Sequence, residues 1–273
     1  MTIAERNKVR ITGIVFMSLA SLISLSAVLA LFLKGNLGTY SEAEAALLSK
    51  FAIMSYNKTA VCLGIAAFPL FSSGLLIYIY ISFKKTHAIE MSFFVIFLIS
   101  IGFESLRLVF PFHGFSNIPP ENIAYISRLI YVARLTGIIS LFMGSIFAVK
   151  IISRQISYIL FFMFFIAFSL VFSMPVNNFY SGGYFFSGTA YYYPYTAVSM
   201  VTTTLACITY FFAYILKNAK EYLKAAAAMF FLMTGYWLLI YTQDYLTLII
   251  GSILFTTATI FFIRSIHGYY LWQ

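Results

Sequence analysis

Long apolar runs divide this sequence, and they constrain its fold more than any other feature. A helix needs about twenty apolar residues to cross the ~30 Å hydrocarbon core of a bilayer. Eight runs approach or exceed that length: Ile11–Leu33, Thr59–Phe83, Met91–Phe110, Ile123–Val149, Ile156–Met174, Tyr195–Leu216, Ala225–Tyr241 and Leu246–Ile263. Because a backbone in lipid must satisfy its own hydrogen bonds, these runs predict an all-α, polytopic integral membrane bundle. We expect eight transmembrane helices in a single domain over residues 1–273.

The last two runs are separated only by Thr242-Gln243-Asp244-Tyr245. A single helix over both runs would be about 60 Å long at 1.5 Å per residue. That length is twice the ~30 Å thickness of the hydrocarbon core, so we expect a tight hairpin with Asp244 at its tip. A count of seven spans stays open if one run is re-entrant.

Basic residues predict that both chain ends face the cytoplasm. With eight alternating spans and the N-terminus inside, eleven basic residues flank the cytoplasmic ends: Arg6, Lys8, Arg10, Lys84, Lys85, Lys150, Arg154, Lys217, Lys220, Lys224 and Arg264. Three flank the opposite ends: Lys34, Lys50 and Lys58. This asymmetry is typical of membrane topology, so the net charge of +9 indicates contact with anionic lipids. We expect no nucleic-acid partner, and location in a cell membrane, either bacterial inner or plasma membrane.

Two segments on the predicted outer side carry further signals. Residues 41–55 begin with Ser41-Glu42-Ala43-Glu44, a helix-start pattern, and predict a short amphipathic helix on the outer membrane surface. Residues 175–194 contain no charge and many aromatic side chains. This composition is typical of an aromatic belt at the membrane interface, or of a lid or docking surface for a protein partner.

Charged side chains inside two neighbouring runs are the candidate site. Glu104 and Arg107 lie in the third run, and Arg128 and Arg134 lie in the fourth. A charge at the centre of a bilayer costs at least ~2.5 kcal/mol, so such residues are functional candidates. Helix geometry places Glu104 about 9 Å and Arg128 about 7–8 Å below the outer ends of their spans, with Arg134 deeper at about 16 Å. Tyr131 shares the face of Arg134, which completes the predicted ligand-binding set.

One carboxylate and three guanidiniums in this set permit three interpretations. The first is a structural network of salt bridges between helices, with Arg107 and Arg128 reaching the outer headgroups. The second is an outward-opening cationic pocket for a small anionic or lipidic ligand, since arginine suits planar carboxylate or phosphate groups. The third is a proton relay through Glu104.

Known catalytic patterns give no basis for assigning an enzyme. We find no HExxH, GxSxG or P-loop pattern, and the three histidines lie at span ends on different sides. We therefore expect no cofactor and no bound metal. A lipid-modifying enzyme that uses Glu104 and His113 as acid and base is the least favoured hypothesis.

The short-looped helices, the aromatic outer segments and the final helix that runs to the cytoplasm resemble, in architecture, multi-span sensory modules of bacterial signalling proteins. Short loops and the absence of a catalytic pattern favour a sensor or receptor-like module, which binds its ligand from the extracytoplasmic side and signals through its helices. The alternatives are a secondary transporter or channel for an anionic solute, or an accessory subunit of a larger membrane complex.

Overall fold

A computed structural model describes residues 3–33, 57–84, 88–112, 120–149, 156–174, 176–181, 186–189 and 192–271. The α-helices are α1 (Ile3–Leu33), α2 (Lys58–Phe83), α3 (Glu90–Gly102), α4 (Val109–Phe112), α5 (Pro120–Val149), α6 (Ile156–Ser173), α7 (Tyr192–Lys217), α8 (Lys220–Ile240) and α9 (Tyr245–Leu271). A 3-10 helix, Phe103–Leu108, joins α3 to α4 and is here named the 3-10 segment. Two short strands, β1 (Val176–Ser181) and β2 (Phe186–Thr189), pair antiparallel.

The predicted helical fold is confirmed for most of these residues. Within the described residues, seven helical stretches are long and apolar enough to cross a membrane: α1, α2, α3 with the 3-10 segment, α5, α7, α8 and α9. The remaining long helix, α6, has 18 residues. The β1–β2 hairpin departs from an all-α fold, and it lies within the segment that sequence composition marked as aromatic and uncharged. The amphipathic helix predicted over residues 41–55 lies outside the described residues.

The hairpin predicted around Asp244 is present between α8 and α9. The two helices touch closely at glycines, because a Cβ added to Gly235 would lie 2.5 Å from the backbone nitrogen of Phe255. A Cβ on Gly251 would likewise lie 3.1 Å from the Leu239 side chain. Asp244 is buried and caps α9, accepting a hydrogen bond of 2.6 Å from the backbone N–H of Thr247. A side chain of this type satisfies the free N–H groups of a helix start.

Helix α3 is the most enclosed element of the bundle, with ten of its 13 residues buried. It packs antiparallel to α5, again at glycines. A Cβ on Gly137 would lie 3.2 Å from Cβ of Ser100, and one on Gly144 would lie 3.3 Å from Cβ of Phe93. This close approach brings the 3-10 segment beside the half of α5 that carries Arg134.

Helix α1 lies across α2 and α3. Arg10 of α1 is only 2% exposed and donates a hydrogen bond of 2.8 Å to the carbonyl oxygen of Phe83, the last residue of α2. A carbonyl at a helix C-terminus lacks an intrahelical donor, so this arginine both satisfies that oxygen and fastens α1 to α2.

Candidate functional site

The 3-10 segment interrupts a helical stretch that is long and apolar enough to cross a membrane, at the residues that the sequence marks as candidates. It runs for six residues, Phe103–Leu108, whereas 3-10 runs beyond three or four residues are uncommon and often mark a hinge. With three residues per turn, side chains at positions i and i+3 eclipse one another. Glu104 and Arg107 therefore stack on one face, and they are only 1% and 2% exposed.

These two side chains meet Arg134 of α5. Both oxygens of the Glu104 carboxylate accept hydrogen bonds from Arg134, one from Nε and one of 2.7 Å from Nη2. Arg107 Nη1 lies 3.5 Å from Oε2 of the same carboxylate, and donates a bond of 3.2 Å to the carbonyl oxygen of Ile240. We name these three residues the Glu104 network. It connects the 3-10 segment to α5 and to the end of α8.

Two aromatic rings lie beside Arg134, one of the two arginines of this network. The guanidinium of Arg134 lies 5.8 Å from the centre of the Tyr131 ring, and that ring meets Tyr195 edge-on at 4.8 Å between centres. Tyr131 and Tyr195 are 2% and 3% exposed. A charged pair in such a dry setting interacts more strongly than one in water, and separating it is correspondingly costly.

Arg128 lies apart from the network, on a different face of α5. It is half-buried, with its guanidinium carbon 5.5 Å from the centre of the Phe172 ring of α6. Among the described residues, its buried Nε has no hydrogen-bond partner. The structure thus brings together four of the five predicted site residues, Glu104, Arg107, Arg134 and Tyr131, and leaves Arg128 separate from Glu104.

The depth estimate placed Glu104 level with Arg128, whereas the structure pairs Glu104 with the deeper Arg134. The 3-10 segment explains part of this difference. Its rise is about 2.0 Å per residue instead of 1.5 Å, which moves Glu104 about 2 Å further from the end of the apolar run.

Sequence reasoning missed a second buried carboxylate, Glu90, at the opposite end of α3. It is 2% exposed and accepts hydrogen bonds of 2.6 Å from the Tyr270 hydroxyl and 3.2 Å from the Tyr222 hydroxyl. Lys217 Nζ donates in turn to the Tyr222 oxygen at 3.2 Å. We name these four residues the Glu90 clasp. Its partners are 132 and 180 residues away in sequence, so no local pattern marks it; the one available signal is an acid at the start of a span.

An apolar groove lies beside the 3-10 segment, between it and α1. Its volume is about 400 Å³, and it is lined by Ala20, Ser24 and Ala27 of α1 and by Phe103, Ser105 and Leu106 of the 3-10 segment, among others. The 3-10 segment therefore has the groove against part of its surface and the Glu104 network on its buried face.

Comparison with known proteins gives one similarity at the level of sequence. The chain is 26% identical to an uncharacterized protein of Treponema pallidum (strain Nichols), over an alignment of 349 positions that covers the whole of both chains. No protein-family model matches the chain, and no solved structure matches it. This similarity assigns neither a family nor an activity.

Proposed function

We propose that this protein is a multi-span membrane sensor that binds a small anionic or lipidic ligand from the extracytoplasmic side. The observation that carries the proposal is the Glu104 network itself, in which a buried carboxylate on the 3-10 segment faces a buried arginine of α5. Ionised groups inside a membrane are expensive, and they typically mark sites where charge is bound or moved.

The ligand chemistry follows from the arginines. Arg134 already presents its guanidinium fork to both oxygens of a carboxylate, the geometry in which arginine also binds phosphate. A ligand carboxylate or phosphate can replace Glu104 on this fork. Arg128 lies six residues, about 9 Å, closer to the N-terminal end of α5, where it is placed to attract an entering anion.

The switch is the 3-10 segment. If six residues relax from 3-10 to α-helix, the segment shortens by about 3 Å and the chain on one side of it rotates by about 120°. The two hydrogen bonds that Arg134 donates to Glu104 oppose this change, because they fix Glu104 against α5. A ligand that displaces Glu104 would favour the relaxed state, which supplies the differential affinity that any ligand-driven change requires.

The topology that fits this function has eight spans, with α6 as the fifth and both chain ends in the cytoplasm. The Glu104 network then lies in the outer half of a cell membrane, reachable from outside. Within the same proposal, the segment 175–194, which contains β1 and β2, is the docking surface for a protein partner.

Thermal unfolding of the purified protein tests the proposal. A thiol-reactive dye can report unfolding through Cys62 and Cys207, which are free and respectively buried and half-buried. The probes are inorganic phosphate, succinate, and phosphatidylglycerol in nanodiscs, each compared with chloride or phosphatidylcholine. An anion at one hundred times its Kd stabilises by ~2.7 kcal/mol, which raises Tm by roughly 5–11 °C.

The variant Arg134→Lys keeps the charge but loses the fork, so we expect it to lose this stabilisation. Arg264→Lys is the control, since Arg264 contacts Tyr78 near the opposite end of the bundle. The proposal would be refuted if an anion stabilised both variants equally. It would also be refuted if no anion stabilised the wild type or either variant. If proteoliposomes took up an anion and Arg134→Ala abolished this uptake, the protein would be a secondary transporter and not a sensor.

A further inference from the structure

The Glu90 clasp joins four helices at the end of the bundle away from the Glu104 network. Glu90 comes from α3, Lys217 from α7, Tyr222 from α8 and Tyr270 from α9. The Lys217 ammonium also lies 4.8 Å from the centre of the Tyr222 ring and 5.0 Å from that of Tyr269. Two phenol hydroxyls thus donate to the Glu90 carboxylate, which lies at the N-terminal end of α3.

Glu90 and Glu104 lie on one continuous helical stretch. Glu90 and Glu104 are fourteen residues apart on α3 and the 3-10 segment, a separation of about 21 Å along the axis. Between them α3 is a regular helix that is buried except along one half-buried face, formed by Ser92, Ile96 and Ile99. A packed, rigid helix moves as a unit, so a displacement at one end is carried to the other.

Both ends of helix α8 are hydrogen-bonded to the stretch formed by α3 and the 3-10 segment. Arg107 bonds to the carbonyl of Ile240 at the last residue of α8, and Glu90 accepts from Tyr222 in its first turn. Helix α3 therefore cannot rotate or slide against α8 without disturbing the bonds of Glu90. The bond from Tyr270 extends this dependence to the last turns of α9.

We propose that the Glu90 clasp is the point at which a change at the Glu104 network reaches the end of α9. Glu90 acts as a positioning residue, and Tyr270 is the output contact. Release of Glu104 from Arg134 lets the 3-10 segment relax and turns α3. The turn withdraws Glu90 from Tyr270, so the last turns of α9 lose their anchor. This inference rests on the proposed sensor function, for which it supplies the transmission route.

A double-mutant cycle tests the route without any ligand. The variants are Glu104→Gln, Tyr270→Phe and their combination, measured as Tm in the same membrane mimic. If the two sites were independent, the Tm shift of the double variant would equal the sum of the two single shifts. We expect it to differ from the sum by about 2 °C or more.

The control cycle combines Glu104→Gln with Ser265→Ala. Ser265 also lies in α9, but its hydroxyl bonds to the Phe261 carbonyl of its own helix at 2.8 Å. This cycle should be additive. The proposed route would be overturned if the Tm shifts were additive in both cycles, or if they departed from additivity by the same amount in both. If Glu104→Gln fails to fold, Arg107→Lys perturbs the same network with its charge kept, and the same outcomes apply.

Hydrogen exchange gives a local measurement. We expect amides of residues 265–271 to exchange faster in Glu104→Gln than in the wild type, and to be unchanged in Glu121→Gln, whose carboxylate is exposed. Unchanged exchange in Glu104→Gln would also overturn the route. Because neither measurement uses an anion, their failure is distinct from a failure of the anion-binding test.

Discussion

Replacement of Glu104 by glutamine should strongly destabilise this protein. Glutamine has nearly the same shape as glutamate, so the perturbation removes charge and leaves the packing intact. Arg134 then faces a neutral amide that can accept at only one of the two positions where the carboxylate accepts. Arg107, 3.5 Å from the same carboxylate, loses its attraction as well.

The magnitude follows from the burial of the three side chains, which are between 1% and 6% exposed. Removal of one partner from a buried ion pair typically costs ~3–5 kcal/mol, because the remaining charge stays desolvated. For a chain of this size 1 kcal/mol lowers Tm by about 2–4 °C. The expected decrease in Tm is therefore roughly 6–20 °C.

Dye-monitored thermal unfolding in one detergent or nanodisc preparation measures this decrease. Glu121→Gln serves as the control, because Glu121 is exposed and such changes fall within about 0.5 kcal/mol. Adding Arg134→Met to Glu104→Gln should recover part of the loss, because the unneutralised charge is removed with its partner. An unchanged Tm in Glu104→Gln, or a further decrease in the double variant, would refute the reasoning.

Three further predictions concern other contacts. Gly235→Ala should cost about 1–3 kcal/mol in unfolding free energy, because its Cβ meets the Phe255 backbone, whereas Gly74→Ala, with open space around it, should change stability by less than about 1 kcal/mol. Tyr270→Phe should cost about 1.5 kcal/mol by removing a donor to buried Glu90, while Tyr158→Phe, at an exposed position, should be neutral; chemical denaturation measures both. Asp244→Ala should cost about 1 kcal/mol through loss of the α9 cap, with Thr257→Ala, whose hydroxyl bonds only within α9, as the control.

Hydropathy and charge spacing predict much of this fold because each element is local. The length of an apolar run defines a helix, and the short polar interval at Asp244 defines the α8–α9 hairpin. Composition cannot predict the β1–β2 hairpin, since aromatic and uncharged residues are common both in interfacial loops and in strands.

Four of the five predicted residues lie together in the candidate site, and Arg128 does not; the pairing within the site was harder to predict. Spacing on neighbouring antiparallel helices places Glu104 close to the arginines of α5, and the cost of buried charge requires a partner. Glu104 pairs with Arg134 and not with Arg128 partly because of the 3-10 segment, and no local residue pattern predicts that segment. The Glu90 clasp depends on tyrosines from the last two helices, and only tertiary packing brings these to α3.

Isotope-edited infrared spectroscopy tests the central claim, that an anion competes with Glu104 for Arg134. The carboxylate stretching band of Glu104 can be isolated from ¹³C-glutamate-labelled protein as the difference between wild type and Glu104→Gln. Addition of phosphate or phosphatidylglycerol, compared with chloride or phosphatidylcholine, should shift this band as the bonds to Arg134 are exchanged. A band that stays fixed at saturating anion would contradict the account.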